Sequence, residues 1–203
     1  MNDAVLQVSW TDDQVIIAAP GGGERLALGD VPSSLAEACE AWAAGVGAVE
    51  ITAPAGLVAL GADGAVLRYV AGQQPDTSPD AGWLTGRLPG GAADWVAAVG
   101  SAPAASWMLA KLSWLHRSDD AAWAAMRSAL TPRAWLTQQL TGLATTSAAD
   151  AISTGAWAVD EGWRFDLLAI VDSQREWSEF LPQVVPDGTP LGEWRGLAVR
   201  AGR

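Results

Sequence analysis

Apolar positions rich in β-branched side chains, Val5, Val8, Val15, Ile16 and Ile17, run through residues 4–28, which read as strands. Thr11-Asp12-Asp13 and Pro20-Gly21-Gly22-Gly23 break the run as turns. Ser34-Leu35-Ala36-Glu37 has capping-box spacing, a hydroxyl for the first free amides and a carboxylate reaching back. It predicts a helix from Ser34 to about Ala44, ended by Gly45-Val46-Gly47. A strand is predicted at Val49–Thr52. Leu57–Leu60 and Ala65–Val70 flank Asp63-Gly64 as a hairpin.

Beyond Pro79 the character changes to helices. Short helices are predicted at Asp80–Leu88 and Gly91–Val99. The clearest amphipathic stretch is Pro103–Arg117, where Met108, Leu112 and Leu115 fall at i, i+4 and i+7 with Trp107 and Trp114 beside them. Ser118 and Asp119 cap a helix running to about Ala129. Pro132 suits the first turn of another that ends at Thr141-Gly142. Residues 144–160 read as a polar loop region. Phe165–Val171 and Trp177–Leu181 read as short helices, and the Gly-rich stretch 186–203 as a partly loose tail. The layout is an α/β or α+β fold: strand-rich over 1–70, helix-rich over 78–182.

Composition narrows the function classes. Half of the 203 residues are hydrophobic and 17% are charged, as in a folded globular chain. The net charge of −11 disfavours nucleic acid and anionic membrane surfaces as partners. Twelve tryptophans are spread singly along the chain, which suits packing. A platform for stacked bases would cluster them beside basic residues. Cys39 is the only cysteine, so an intrachain disulfide is ruled out. The start, MNDAVLQVSW, lacks a basic segment followed by an apolar core. Together these predict a reducing, cytoplasmic setting.

The middle of the chain carries a family resemblance. Lys111-Leu112-Ser113-Trp114-Leu115-His116-Arg117, Leu130-Thr131-Pro132, Trp135-Leu136, Leu140-Thr141-Gly142, Asp150-Ala151 and Thr154-Gly155-Ala156-Trp157 follow in order. Trp163–Leu168 and Leu181-Pro182 continue the series, and Gly56–Gly64 precedes it. In order and spacing this run resembles the N-terminal half of the FGGY-type sugar kinases, on the xylulokinase side, over about residues 49–190. The resemblance implies a ribonuclease-H-like (actin-like ATPase) N-terminal domain, a mixed sheet followed by a helical extension, spanning 1–190 as one domain. It also implies a partner domain for ATP and Mg, with sugar and nucleotide in the cleft between the two. Phosphoryl transfer there is positioning and charge stabilisation, with an acid taking the hydroxyl proton.

The chemistry-bearing positions depart from that pattern. The acid leading the phosphate-facing turn is replaced in Ser9-Trp10-Thr11-Asp12-Asp13. The sugar-binding Q-x-H corresponds to Ala53-Pro54-Ala55, and the W-N-D-x-R contacts to Gly72-Gln73-Gln74-Pro75-Asp76. The H-D before W-L is Arg133-Ala134, and the first acid of the T-D-x-S-D run is Ser147. The family's proton-accepting aspartate belongs to a later G-G-G-D segment that does not occur before Arg203, so the ATP-binding domain is expected to be absent. The remnants are Asp150, Thr154, Gln73 and Gln74 for sugar, and Thr11 and Asp12 for nucleotide. No catalytic residue, bound cofactor or metal ligand set is assigned. Asp12-Asp13 has too few neighbouring oxygens for a hard cation. Pro20–Glu24 lacks the Lys-Ser/Thr of a phosphate loop. His116, the only histidine, is read as a surface or capping residue.

Three functions follow, in this order. The first is a non-catalytic, kinase-derived binding or interaction module. The second is half of a split kinase completed by another chain. The third is a stand-alone enzyme with new chemistry, which lacks a converging acid, base or nucleophile. The expected partner is a second copy in a two-fold dimer or a sugar-kinase-like chain. A tail folded back through Trp194 and Leu197 is the alternative to that dimer.

Overall fold

The computed structural model describes residues 4–11, 13–72 and 75–202. In chain order the first strands are β1 (Val5–Thr11), β2 (Gln14–Ala19) and β3 (Gly22–Ala27). Helix α1 (Val31–Trp42) and β4 (Ala48–Thr52) follow. The hairpin β5 (Gly56–Leu60) and β6 (Val66–Ala71) precedes helices α2 (Ser78–Thr85), α3 (Ala92–Val99), α4 (Met108–Ser118) and α5 (Asp120–Ala125). Next come β7 (Ser128–Leu130), α6 (Pro132–Thr141), β8 (Thr145–Ser147) and α7 (Ala148–Ile152). The last are β9 (Trp157–Ala158), β10 (Gly162–Trp163), α8 (Phe165–Leu168), β11 (Gln183–Val185), β12 (Gly192–Trp194) and β13 (Leu197–Ala201).

These elements form two compact units, and each draws on separated segments. One comprises 1–54, 132–147 and 183–203; the other comprises 55–131 and 148–182. They do not coincide with the strand-rich and helix-rich stretches read from the sequence.

The first unit is built on a six-stranded mixed sheet ordered β12-β13-β4-β1-β2-β3. β4 pairs in parallel with β1 on one side and β13 on the other. Strand alternation puts Leu6, Val8 and Trp10 of β1, Val15 and Ile17 of β2, Val49 and Ile51 of β4, and Val199 of β13 in the core. Helices α1 and α6 pack against the sheet and each other, with Leu35, Ala38 and Cys39 of α1 and Trp135, Leu136 and Leu140 of α6 buried. Trp10 meets Trp135 edge-on at 5.5 Å between ring centroids, a favoured aromatic geometry. Burial, with Glu24 adding to it, pushes the Cys39 thiol up to about 12, so it behaves as a small hydrophobe.

The second unit holds the three-stranded sheet β6-β5-β7 and the remaining helices. β5 is buried along its whole length, and α4 packs on it. Leu57, Leu84, Trp95, Met108, Leu109, Leu112, Leu115, Trp123 and Trp177 belong to one core. Buried indoles need partners for their N–H. Trp95 donates to the Leu84 carbonyl at 3.0 Å, Trp177 to the Asp172 carbonyl at 3.0 Å and Trp163 to the Pro182 carbonyl at 3.2 Å.

Several elements differ from the sequence reading. α1 begins at Val31, with Pro32 in its first turn and no side-chain cap bond, so Ser34 and Glu37 lie inside it. α4 starts at Met108 rather than Pro103, because Trp107 holds extended backbone at φ −64° and ψ 140°. The Asp119 carboxylate does cap α5, accepting from the Ala122 amide at 2.9 Å, but α5 stops at Ala125 and Ser128–Leu130 pairs with β5. The expected loop at 144–160 contains β8, α7 and β9. The stretch 186–203, expected to be loose, supplies two strands of the main sheet. Trp194 and Leu197, which the alternative to the dimer placed in a folded-back tail, are residues of those strands. The sheet expected from the first 70 residues is divided, since β5 and β6 join β7 in the second unit.

Replacing Leu112 with Ala deletes a fully buried side chain of α4 from the core of the second unit. The expected loss is about 2–5 kcal/mol in urea unfolding; a change below about 0.5 kcal/mol would place this face outside the core.

Candidate functional site

The positions that the family resemblance marks are built on two sets of elements. In the first unit they gather where parallel strands end. Ser9 and Thr11 close β1, and Thr11 faces Gln14 across the β1–β2 turn. Thr11 is exposed and Ser9 half-buried, on the opposite face from Trp10. Asp13 is exposed; Asp12 lies outside the described residues. Arg133, in the first turn of α6, donates from Nη2 to the Gly202 carbonyl just beyond β13 at 3.4 Å. Ala134 beside it is fully buried. Ser147 is buried in β8 and paired with Val185. Carboxyl ends of parallel strands are where α/β sheets bind ligands. Here that edge presents the hydroxyls of Ser9 and Thr11, the exposed Asp13 of the β1–β2 turn, and Arg133. Ala53-Pro54-Ala55, the linker from β4 to β5, has no side-chain hydrogen-bonding group.

In the second unit the marked residues meet around the start of α4. That helix has no side-chain cap, so its first amides need other acceptors. The Thr154 carbonyl accepts from the Leu109 amide at 3.0 Å. The Thr154 hydroxyl donates to the Ala151 carbonyl at 2.5 Å and accepts from the Ala156 amide at 3.2 Å. Gly155 sits at φ +75°, and a Cβ there would come within 2.0 Å of the Trp107 indole. Thr154-Gly155-Ala156 therefore clamps the entry to α4, and only glycine fits at its centre.

Lys111 is fully buried one turn into α4, and its ammonium donates to the Gly72 carbonyl at 3.1 Å. Desolvation holds its pKa below the ordinary lysine value. Asp150 is buried in α7 and accepts from the Thr131 hydroxyl at 2.5 Å. Its carbonyl also takes the Ser153 hydroxyl at 2.7 Å. Gln73 and Gln74 lie outside the described residues. Of the expected remnants, Asp150 and Thr154 thus share the second unit and Thr11 belongs to the first. Sequence reasoning missed the roles of Lys111 and Gly155, although both stand in the quoted motifs. His116, exposed near the end of α4, stacks on Trp123 at 4.5 Å between ring centroids, as a surface residue should. Among the described residues no group of three or more His, Cys, Asp or Glu is placed to hold a metal ion. Likewise no helix is long and apolar enough to cross a membrane.

The comparisons with known proteins point to the sugar kinases that the sequence resembles. No protein-family model matches the chain. A xylulose kinase of Streptomyces coelicolor is 35% identical over 172 residues, covering 83% of this chain and 34% of the relative. One of Streptomyces rubiginosus is 37% identical over 107 residues, covering 52% and 22%. Among solved structures, xylulose kinase from Bifidobacterium adolescentis superposes with a TM-score of 0.76 at 21% identity, over 94% of this chain and 49% of that one. Plasmodium falciparum glycerol kinase gives 0.75 at 10% identity, over 98% and 47%. The fold is that of the actin-like, ribonuclease-H-like sugar kinases. With the sequence similarity added, the chain is xylulokinase-like and similar to part of the FGGY carbohydrate kinases. It spans about a third or less of the curated relatives and about half of the solved kinases.

The clamp at α4 is directly testable. Gly155→Ala combines left-handed strain of about 1–3 kcal/mol with overpacking of about 1–3 kcal/mol. The expected destabilisation in urea is about 2 kcal/mol or more. Trp107→Ala in the same chain should remove the steric share, and additive effects of the two substitutions would refute the contact.

Proposed function

We propose that this chain is a kinase-derived binding or interaction module and not a phosphotransferase when alone. The observation that carries the reading is Asp150. The best surviving family acid is buried in α7 and accepts from the Thr131 hydroxyl at 2.5 Å. The resemblance puts the proton acceptor in a later segment and leaves Asp150 as a sugar contact, and such a contact must present its carboxylate within hydrogen-bond reach of the sugar hydroxyl. Ala53, Pro54 and Ala55 at the Q-x-H position and Ser9 at the leading-acid position support the same conclusion. A second reading is half of an ATP:sugar phosphotransferase, with the rest supplied by further polypeptide or a second chain. It is favoured by the 35% identity to a xylulose kinase of which the chain spans about a third. On either reading a reducing, cytoplasmic setting suits the single cysteine.

The test is ADP release from ATP and Mg with D-xylulose, using the 203-residue chain. No turnover is expected. Turnover abolished by Asp150→Asn would overturn the module reading. Turnover only after a second, ATP-binding kinase chain is added would establish the half-enzyme.

The module reading extends to assembly, either as a two-fold homodimer or with a sugar-kinase-like partner. The side chains it would cover in the second unit include Val159, exposed at 71%, Val96 at 50% and Phe165 at 45%. Sedimentation at micromolar concentration should give the dimer mass; a monodisperse monomer rejects the homodimer.

A further inference from the structure

A cleft of about 520 Å³ opens between α2, α4 and the segment after α8. Its lining combines Asp80, Trp83, Ser113, His116, Arg117 and the apolar pair Ile170 and Val171. The family resemblance assigns none of these a ligand.

The polar groups are organised around one buried carboxylate. Asp80 is 3% exposed. It accepts from the Ser113 hydroxyl at 3.0 Å and from Arg117 through Nη2 at 3.0 Å and Nε at 3.5 Å. A guanidinium carries five N–H groups in a rigid fork. Asp80 engages one edge of that fork and leaves the Nη1 edge free. The Arg117 side chain is 61% exposed, so the free edge is accessible to a ligand. An arginine anchored in this way has lost much of its rotamer freedom before any ligand arrives, which lowers the entropic cost of binding.

The other walls define the rest of the ligand. Trp83 is 39% exposed, while most tryptophans of this chain are buried. Arg87 stacks its guanidinium 4.1 Å from the centre of the Trp83 ring, a cation–π contact that adds positive charge beside the cleft. His116 is held by its stacking on Trp123. Ile170 and Val171 supply an apolar wall. Asp80 is the single carboxylate in the lining, and Arg117 neutralises it. Arg87 therefore sets the local sign, on a chain whose net charge is −11.

We propose that this cleft binds a small organic oxyanion with a flat apolar body, its anionic end on the free edge of Arg117 and its body between Trp83 and the Ile170–Val171 wall. Charge-assisted, bidentate recognition by arginine supplies the orientation. Indole and aliphatic side chains supply the burial that a bare inorganic anion cannot use. This goes beyond the module reading and is tested without any kinase assay.

The experiment is amide and indole NMR titration of the full chain with phenyl phosphate, benzoate, phenol and inorganic phosphate. Saturable shifts at Trp83, His116 and Ile170 are expected with phenyl phosphate and benzoate, at dissociation constants of about 1 mM or tighter. Phenol and inorganic phosphate should bind at least about tenfold more weakly, which corresponds to 1.4 kcal/mol. Arg117→Gln should weaken phenyl phosphate at least about tenfold. Because that change leaves Asp80 buried without its cation, Trp83→Ala at the exposed wall serves as a second variant. It should bring phenyl phosphate down to the level of inorganic phosphate. No saturable response up to about 10 mM, shifts confined to other surfaces, equal binding of phenol, or unchanged affinity in Trp83→Ala would each overturn the proposal. The first of these would leave Asp80–Arg117 as a tie between α2 and α4 alone.

Discussion

The first unit depends on the pairing of β4 on both edges. Its backbone N–H and C=O groups are matched to β1 at Ala48–Thr52 and to β13 at Ala48–Ile51. A strand whose side chains Val49 and Ile51 are wholly buried cannot leave a row of polar groups without partners. β13 comes from the far end of the chain, and α6 comes from residues 132–141. Three remote segments must therefore assemble before this core is closed. Long-range parallel pairing of this kind carries its loop-closure cost before the burial that rewards it. Arg133 bonding to the Gly202 carbonyl ties α6 to the end of β13, joining two of those segments at the carboxyl edge of the sheet.

Local signals were legible in the sequence where the neighbouring chain alone determines the structure. Asp63-Gly64 makes its turn, with the Ala65 amide on Asp63 Oδ1 at 3.0 Å and Gly64 at φ +78°. Asp119 caps its helix, and Leu112 and Leu115 are buried as their spacing requires. The misreadings fall where distant segments decide. Residues 186–203 are rich in glycine and short of β-branched side chains, so period two is faint there. Docking beside β4 makes them strands. The capping box at Ser34–Glu37 was a false start, because Pro32 had already opened the helix one turn earlier. Trp107 looked helical by spacing. The clamp from Thr154-Gly155-Ala156 holds it extended instead, and nothing local announces a contact across that separation.

The motifs that identify the family turn out to hold its packing. Lys111 meets Gly72, Thr154 receives the Leu109 amide, and Gly155 lies against Trp107. Each is a buried polar group with a dedicated partner or a backbone position that excludes a side chain. Losing one strands the other in a dry interior, at about 1–3 kcal/mol for a neutral group. Substitution at Ala53, Pro54 or Ala55 has no such consequence, since their side chains satisfy no buried group. The two classes of position therefore face different constraints. Residues fixed by the interior persist under the need to fold, while residues fixed only by a ligand are free to change once that ligand no longer matters. The motifs in α4 and around Thr154-Gly155 that carry the resemblance are of the first class.

The tryptophans sharpen the same distinction. Trp10, Trp95, Trp107, Trp123, Trp135, Trp177 and Trp194 are buried, and each fills volume that smaller side chains would leave open. Trp83 has no such duty. It is substantially exposed on a short helix, with Arg87 on its ring and the anchored Arg117 lining the same cleft. Exposing an indole costs burial free energy at about 25 cal/mol per Å² of apolar surface left in water. The buried Asp80 beside it adds the desolvation of a carboxylate, offset only by Ser113 and Arg117. A cleft that combines both costs is poorly explained by stability alone. It is better explained by a surface that gains from a third component, one able to cover the indole and use the guanidinium edge that Asp80 leaves open.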